Sequence, residues 1–378
     1  MKRSDRLFIF HFGSAELYPP VMNTVNYLGG IKKNFKIYLF TTYSPVSVRH
    51  YQSPRENVKI VRLGTIGNHS SQIIKWWVYC SFNFIGLLWL FFLRPATVLY
   101  YESISSFAPV FYKRFMRRAS KLFIHYHEYM TLGEYAHGMK MVRWFHKKEK
   151  KVYPGSAWLS HTNEERMQLF VSDNPGIQIP NKQIVPNYPP ASWLKEAHSN
   201  ERNTDEEKSV LRFVYIGALS KETMHLVSFA EWVKSKEGKV TWDIYSLNME
   251  EEAGKYLAQL NCAYIKIQDG VYYEDLPGVL KNYDIGVILY NGHTPNWVHN
   301  VPNKLFEYHV CGLDVWFAKE MTGSYQWITN NTYPRIVPLD FKDTRAISFE
   351  KLTSRLGLTF RQYDVTSEKA LYNLAQAI

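Results

Sequence analysis

At 378 residues the chain is long for one hydrophobic core and comfortable for two domains, and 46% hydrophobic with 21% charged residues excludes a disordered protein. Its three cysteines, Cys80, Cys262 and Cys311, stand far apart with neither paired nor metal-ligand spacing, which fits a reducing cytosol. The net charge of +11 is uneven: residues 1–190 hold 25 Lys+Arg against 10 Asp+Glu, and the remainder 20 against 24, so the front half is basic and the back half mildly acidic.

The N-terminal MKRSDRLFIFHFG puts basic residues before an apolar run too short for a signal-peptide core, and reads as a first buried strand. A helix in PPVMNTVNYLGGI, strands in FKIYLFTT and NVKIVRL, the apolar stretch WWVYCSFNFIGLLWLFFL, strand TVLYY, helix PVFYKRFMRRA and strand KLFIHYHE follow. Near-continuous apolar strands between helices predict a parallel sheet covered on both faces. The stretch Trp76 to Leu93 is eighteen uncharged residues, just enough to cross a bilayer. Ser81, Asn83 and mid-run aromatics argue against a span, and the strand that follows is needed by the sheet. It is expected to be a helix of the first domain, either wholly buried or partly exposed to lipid.

Positive charge gathers in YKRFMRR (112–118) and WFHKKEKK (144–151), interleaved with aromatic residues. Such runs meet nucleic acid, anionic lipid or a phosphorylated substrate, or simply form a solvated helix face. No nucleic-acid reading motif accompanies them, so Lys113, Arg114, Arg117 and Arg118 are taken as acceptor-side or membrane-facing residues. Further on, Thr162 and Glu165 are spaced as a capping box opening the helix NEERMQLF. The polar run HSNERNTDEEKS (198–209) is the candidate linker.

Strand and helix alternation then restarts through VLRFVYIGALS, MHLVSFAEWVKS, VTWDIYSL, EEEAGKYLAQL, YIKIQDG, EDLPGVLKNY and DIGVILY, and the chain closes on a helix in SEKALYNLAQAI. The pattern predicts two doubly wound Rossmann-like α/β domains facing across a cleft. Their expected extents are 1–197 and 210–365, joined by 198–209, with 366–378 as a helix packing back on the first domain.

There is no phosphate loop GxxxxGK[ST], no GxGxxG after a strand, no HExxH, no GxSxG and no Asp-x-Asp. His125 and His127 could point the same way from a strand, but no companion ligand cluster is evident, and no metal is expected. The most specific stretch is HNVPNKLFEYHVCGLDVWFAKE (299–320). Pro302 and Asn303 look like a helix start, whose free N–H groups favour phosphate oxygens. Lys304 adds a cation in the first turn, and Glu307 follows on the same helix face. A surface Lys–Glu pair has the same spacing.

That stretch resembles the Pro-x-Lys-Leu-x-Glu-Tyr segment of the retaining, nucleotide-sugar-dependent glycosyltransferases of family 4 (glycosyltransferase group 1), which have the GT-B fold. FVYIGALS (213–220) resembles the strand and turn opening that family's donor domain, and YYEDLPGVLKNYDIGVILY (272–290) the helix and strand before its nucleotide site. HYHEY resembles the segment carrying a histidine beside the reacting sugar, and VPNYPP the end of the acceptor domain.

The resemblance implies roles residue by residue. Glu307 would bind the donor ribose, Asn303 and Lys304 would contact phosphate, and Gly217 would lie in the turn beside the diphosphate. Gly13 would line the donor cleft from the other side, His127 would contact the transferred sugar, and the backbone near Tyr272 would meet the base. Three positions depart from the pattern: His299 stands where the first motif glutamate is usual, Ala218 where an arginine is, and Asp314 where a proline is. With Ala218 in place, Lys221 is the nearest cation of that turn, so His127, Lys221 and Glu307 form the candidate catalytic set. The function implied is metal-independent transfer of a sugar, with retention, from a nucleotide diphosphate sugar to a growing, lipid-linked glycan. No cofactor is called for beyond that co-substrate, and the setting is the cytoplasmic face of an anionic membrane. An inactive nucleotide-sugar-binding protein and a nucleotide-sugar epimerase are the alternatives.

Overall fold

In the computed structural model the chain divides into two compact units, residues 1–187 with 367–378 and residues 188–366. The structure describes residues 5–47, 49–67, 70–138, 140–198, 210–329, 331–347, 354 and 358–378; of the candidate linker, 199–209 lie outside the described residues.

The first unit is a seven-stranded sheet of β1 (Arg6–Ser14), β2 (Lys36–Tyr43), β3 (Val58–Thr65), β4 (Thr97–Tyr101), β5 (Lys121–Tyr126), β6 (Trp158–His161) and β7 (Lys182–Ile184). The strand order is β3-β2-β1-β4-β5-β6-β7 and every pairing is parallel. Helices α1 (Pro19–Ile31), α2 (Gln72–Leu93), α3 (Phe107–Phe111), α4 (Leu132–His137), α5 (Lys140–Glu149) and α6 (Glu164–Ser172) make the crossovers. The direction of winding reverses between β1 and β4, which places a ligand-binding switch point at the carboxyl ends of those two strands.

Helix α2 carries the apolar stretch. Ser71 caps it, its side chain accepting the Ile74 N–H, and Arg94 ends it in a left-handed conformation ahead of Pro95. One stripe, Tyr79, Phe82, Asn83, Gly86 and Leu90, is buried on the sheet beside Phe10 and Phe40. Gly86 permits this approach, since a Cβ there would lie 2.7 Å from Phe10 Cε1. The opposite stripe, including Trp77, Phe84 and Phe91, is exposed. Strands β3 and β4, which bracket α2 in the chain, belong to one sheet, so the helix lies on that sheet. The cap of α6 falls one residue later than the sequence spacing predicts: Asn163, not Thr162, accepts the Arg166 N–H at 2.8 Å.

The second unit has a six-stranded parallel sheet of β8 (Leu211–Ile216), β9 (Val240–Tyr245), β10 (Ile265–Gln268), β11 (Ile285–Ile288), β12 (Asp314–Ala318) and β14 (Ile336–Leu339), in the order β10-β9-β8-β11-β12-β14. A small pair, β13 (Thr332–Tyr333) and β15 (Thr359–Phe360), stands apart from it. Helices α7 (Ala191–His198), α8 (Leu226–Ser235), α9 (Glu251–Leu260), α10 (Leu276–Leu280), α11 (Pro295–Val298) and α12 (Asn303–Val310) complete the unit. Its switch point lies between β8 and β11.

The division between the units comes at Asn187, ten residues before the boundary drawn from sequence. Aromatic packing is the reason: Tyr188 meets Phe306 edge-on at 4.7 Å, and Trp193 packs on Tyr273 at 4.9 Å. The C-terminal helix (Ser367–Ala377) belongs to the first unit, against α1. Asp314, the residue that replaces proline after the Gly312 turn, is buried with Arg335: the guanidinium donates to its Oδ2 at 2.7 Å and the Arg335 N–H to its Oδ1 at 2.6 Å. The departure at 314 is thus half of an internal ion pair.

Candidate functional site

At the end of β8 the chain turns at Gly217, with φ +129°, a conformation side chains rarely adopt. A Cβ there would lie 2.9 Å from both Cε and Nζ of Lys304, so the glycine leaves room for the lysine as well as for the turn. Lys304, in the first turn of α12, donates to Tyr290 Oη at 3.0 Å and lies over the rings of Tyr215 and Tyr290, 5.5 and 5.4 Å from their centroids. Burial alone would lower its pKa, but Tyr290, Tyr215 and Glu307 more than offset that, and the ammonium is held above its ordinary value. One turn along, Glu307 is 6% exposed and its carboxylate has no hydrogen bond among the described residues. Burial raises its pKa to about 7 against the opposing pull of Lys304.

The scaffold is tight. Tyr308 Oη accepts the Ile216 N–H at 3.0 Å, and its ring lies where a Cβ on Gly286 would be 2.2 Å away, so β11 needs a glycine there. Asn303 opens α12, whose first turn has the Leu305 N–H on the Pro302 carbonyl at 3.0 Å and the Asn303 and Lys304 N–H groups ahead of any helical carbonyl. The carboxyl end of β8, the Gly217 turn and the start of α12 thus assemble a half-buried cation and helix-start amides beside a buried carboxylate. Such a set binds an anion and accepts hydrogen bonds from hydroxyl groups next to it.

Lys221 is not part of this group. Its ammonium lies over the ring of Tyr256, 5.6 Å from the centroid, while its N–H donates to Glu250 Oε2. Ala218 gives no cation either, its carbonyl accepting from Tyr215. Tyr272 sits in the turn before α10, at the carboxyl end of edge strand β10. His299 closes α11, with its backbone against Gly323, where a Cβ would come within 2.6 Å.

In the first unit the switch point gathers Gly13, Glu102 and His127 at the ends of β1, β4 and β5. Gly13 makes room for the buried His11, whose Nε2 would be 2.9 Å from a Cβ at that position. Tyr18 links the two histidines, 4.4 Å from the His11 ring and 5.6 Å from that of His127. The His127 N–H donates to Glu102 Oε1 at 2.6 Å, and its carbonyl accepts from Arg166 Nη1 at 2.8 Å. Burial, with Arg166 adding to it, pushes its pKa down to about 3, so the ring is neutral. His125 lies in the sheet beneath, with Nδ1 2.8 Å from Ser160 Oγ, and among the described residues no three His, Cys, Asp or Glu side chains are placed to hold a metal ion.

Glu102 escaped the sequence reading. Its backbone, φ 63° and ψ 151°, lies in a region that is nearly glycine's alone and costs roughly 1–3 kcal/mol. The strain aims its carboxylate at the His127 and Glu128 N–H groups, at 2.6 and 3.0 Å. Burial and Glu128 raise its pKa to about 8. Of the basic run, Lys113 donates to the carbonyls of Arg118 and Ser120 at 2.7 and 2.6 Å, and Arg117 to that of Arg94, so both fasten backbone and are not free for a ligand. Arg114, against Phe115, and the exposed Arg118 carry no such bond among the described residues.

Comparison with known proteins rests on structure. No family model and no curated sequence matches the chain. The lipopolysaccharide outer core galactosyltransferase WaaB superposes over 98% of both chains with TM-score 0.56 and 13% identity. HepE of Anabaena, in complex with UDP and glucose, does so over 99% of this chain and 98% of its own, with TM-score 0.61 and 11% identity. The chain has the GT-B fold. The same likeness extends to the UDP-GlcNAc 2-epimerase of Neisseria meningitidis, over 99% of this chain and all of that one, with TM-score 0.58 and 10% identity.

Proposed function

We propose that the protein is a glycosyltransferase that moves a sugar from a nucleotide diphosphate sugar to a growing, lipid-linked glycan of the capsule, O-antigen or exopolysaccharide kind. The observation that carries the reading is Lys304, half-buried under the Gly217 turn with Glu307 one helical turn on. Glu307 accepts from the ribose hydroxyls, Lys304 and the amides at Asn303 hold the diphosphate, and the loop at Tyr272 meets the base. In the transfer the bond from C1 of the sugar to the diphosphate oxygen breaks. A bond from C1 to the acceptor oxygen forms on the same face, and the acceptor's proton passes to the leaving diphosphate. Lys304 and the helix-start amides stabilise the negative charge that develops on the leaving diphosphate, which makes a divalent ion unnecessary. His127, neutral and fixed through its backbone, contacts the transferred sugar, and the basic first unit receives the acceptor at the cytoplasmic face of the membrane.

WaaB and HepE, both GT-B proteins, support transfer. The epimerase neighbour supports a second reading, conversion of the donor itself, and the departures at His299 and Ala218 a third, binding without turnover. Release of nucleoside diphosphate with product formation, measured with and without a panel of glycan acceptors, separates the three. Transfer must depend on acceptor and vanish in a folded Glu307→Ala; wild-type turnover in that variant sinks the reading, and donor conversion without acceptor replaces it with the epimerase.

A further inference from the structure

We infer that the face built from α2, the turn Tyr112–Met116 and α5 docks on the surface of an anionic lipid bilayer. Helix α2 is apolar on both sides, and its outer stripe, with Trp77 63%, Phe84 64% and Phe92 72% exposed, has no partner among the described residues. A helix apolar all round is at home either in a core or in lipid, and this one has only one side in a core.

The neighbouring elements extend the face. The Tyr79 ring of α2 lies 6.0 Å from Phe145 of α5, and Phe145 lies 4.4 Å from Phe107 of α3, so the three helices adjoin. Outward from these contacts, Phe115 and Trp144 are exposed. A cation sits on each: the Arg114 guanidinium 5.5 Å from the Phe115 ring centroid, and Lys148 Nζ 5.0 Å from that of Trp144. Apolar rings with cations beside them match the boundary between acyl chains and headgroups.

Charge decides the occupant. In α2, α3, the turn 112–116 and α5 the one acidic residue is Glu149, and it is fully buried, accepting from the hydroxyls of Tyr100, Tyr126 and Ser103. The face therefore presents Lys75, Arg114, Lys147 and Lys148 with no exposed carboxylate of its own. A second copy would set like charges against each other, whereas an anionic leaflet attracts each cation and accepts the rings. Because α2 is pinned to the sheet by Phe82, Gly86 and Leu90, it lies in the interface and does not cross. This deepens the lipid-linked acceptor reading by naming the surface that meets the lipid, yet its test needs no turnover.

The experiment is flotation of the full chain with phosphatidylcholine vesicles, with and without phosphatidylglycerol, at about 0.1 M and about 1 M salt, where the screening lengths are roughly 10 and 3 Å. Co-flotation with the anionic vesicles that weakens at high salt is expected. Trp77→Glu with Phe84→Glu, both at exposed positions, should cut the bound fraction about tenfold or more while the circular dichroism spectrum and melting temperature hold. Absence of anionic-vesicle binding at low salt, or binding indifferent to the double substitution, overturns the proposal. So does wild-type self-association that the substitution abolishes without any vesicle binding, which assigns the face to a second copy. Nucleotide binding in the same preparations reports separately on the catalytic reading.

Discussion

The two sheets wind outward from their first strands in the same way, yet their switch points differ in chemistry. Between β1 and β4 stand a strained glutamate and a neutral histidine; between β8 and β11 stand a half-buried lysine and a glutamate without a hydrogen-bond partner among the described residues. The first unit keeps its buried His11 and His125, and the half-buried His127, uncharged, all near pKa 3. Buried charges occur in both units, as Glu149 and Arg166 in the first and the Asp314–Arg335 pair in the second, but among the described residues the second alone sets a half-buried lysine, Lys304, at its switch point. One fold thus carries two different chemistries at its switch points, a neutral, hydrogen-bonding end and a cationic one.

Among single substitutions the largest effect comes from uncoupling the charges of the second unit. Arg335→Met leaves Asp314 buried without its cation and should cost about 3–5 kcal/mol in chemical denaturation. The first unit should respond to acid instead. The folded pKa values of His11 and His125 lie below the unfolded value of 6.5, so between pH 6.5 and about 3 the unfolded chain holds protons that the folded one does not. Stability is complete above pH 6.5 and falls by about 1.4 kcal/mol per pH unit for each ring as pH drops through that window. Hydrogen exchange corrected for intrinsic rates should show β1 and β5 losing protection before β8 and β11; equal loss in both sheets would break the contrast.

Gly217→Ala should weaken nucleotide diphosphate binding by about 1–3 kcal/mol, from backbone strain and displacement of Lys304, as read by titration calorimetry. A smaller, graded effect is expected from Glu307. Its carboxyl group accepts from two hydroxyls, and does so most strongly, only when ionised, and with a folded pKa of about 7 its ionised fraction falls as pH drops below that value. Nucleotide affinity should then decline by up to about tenfold per pH unit below 7, and Glu307→Gln should remove that dependence.

Much of this was legible in sequence, for physical reasons. Parallel sheets bury both faces of their strands, so RLFIFHF or DIGVILY reads as an unbroken apolar run and the alternating pattern yields the architecture. Lys304 and Glu307 were legible because a helix fixes what lies three residues on. Glu102 and Tyr290 were not, since each is a single residue at a strand end and matters only through the strand beside it. Lys221 misled because Tyr256, thirty-five positions later, takes its ammonium. Asp314 looked like a departure from a pattern because its partner Arg335 is remote in sequence. The outer face of α2 was ambiguous because periodicity cannot separate core from surface when both stripes are apolar.

The central claim, that the β8/β11 end binds a nucleotide diphosphate through Lys304 and Glu307, is tested most directly by thermal unfolding against UDP, GDP, ADP, CMP and their sugar derivatives. Wild type should be run beside Lys304→Met and Glu307→Ala. A nucleotide at about a hundred times its dissociation constant stabilises the native state by about 2.7 kcal/mol. The account predicts that one base family raises the melting temperature of wild type and neither variant responds at the same concentration. A shift of equal size in all three proteins, or none in wild type with any nucleotide, contradicts it.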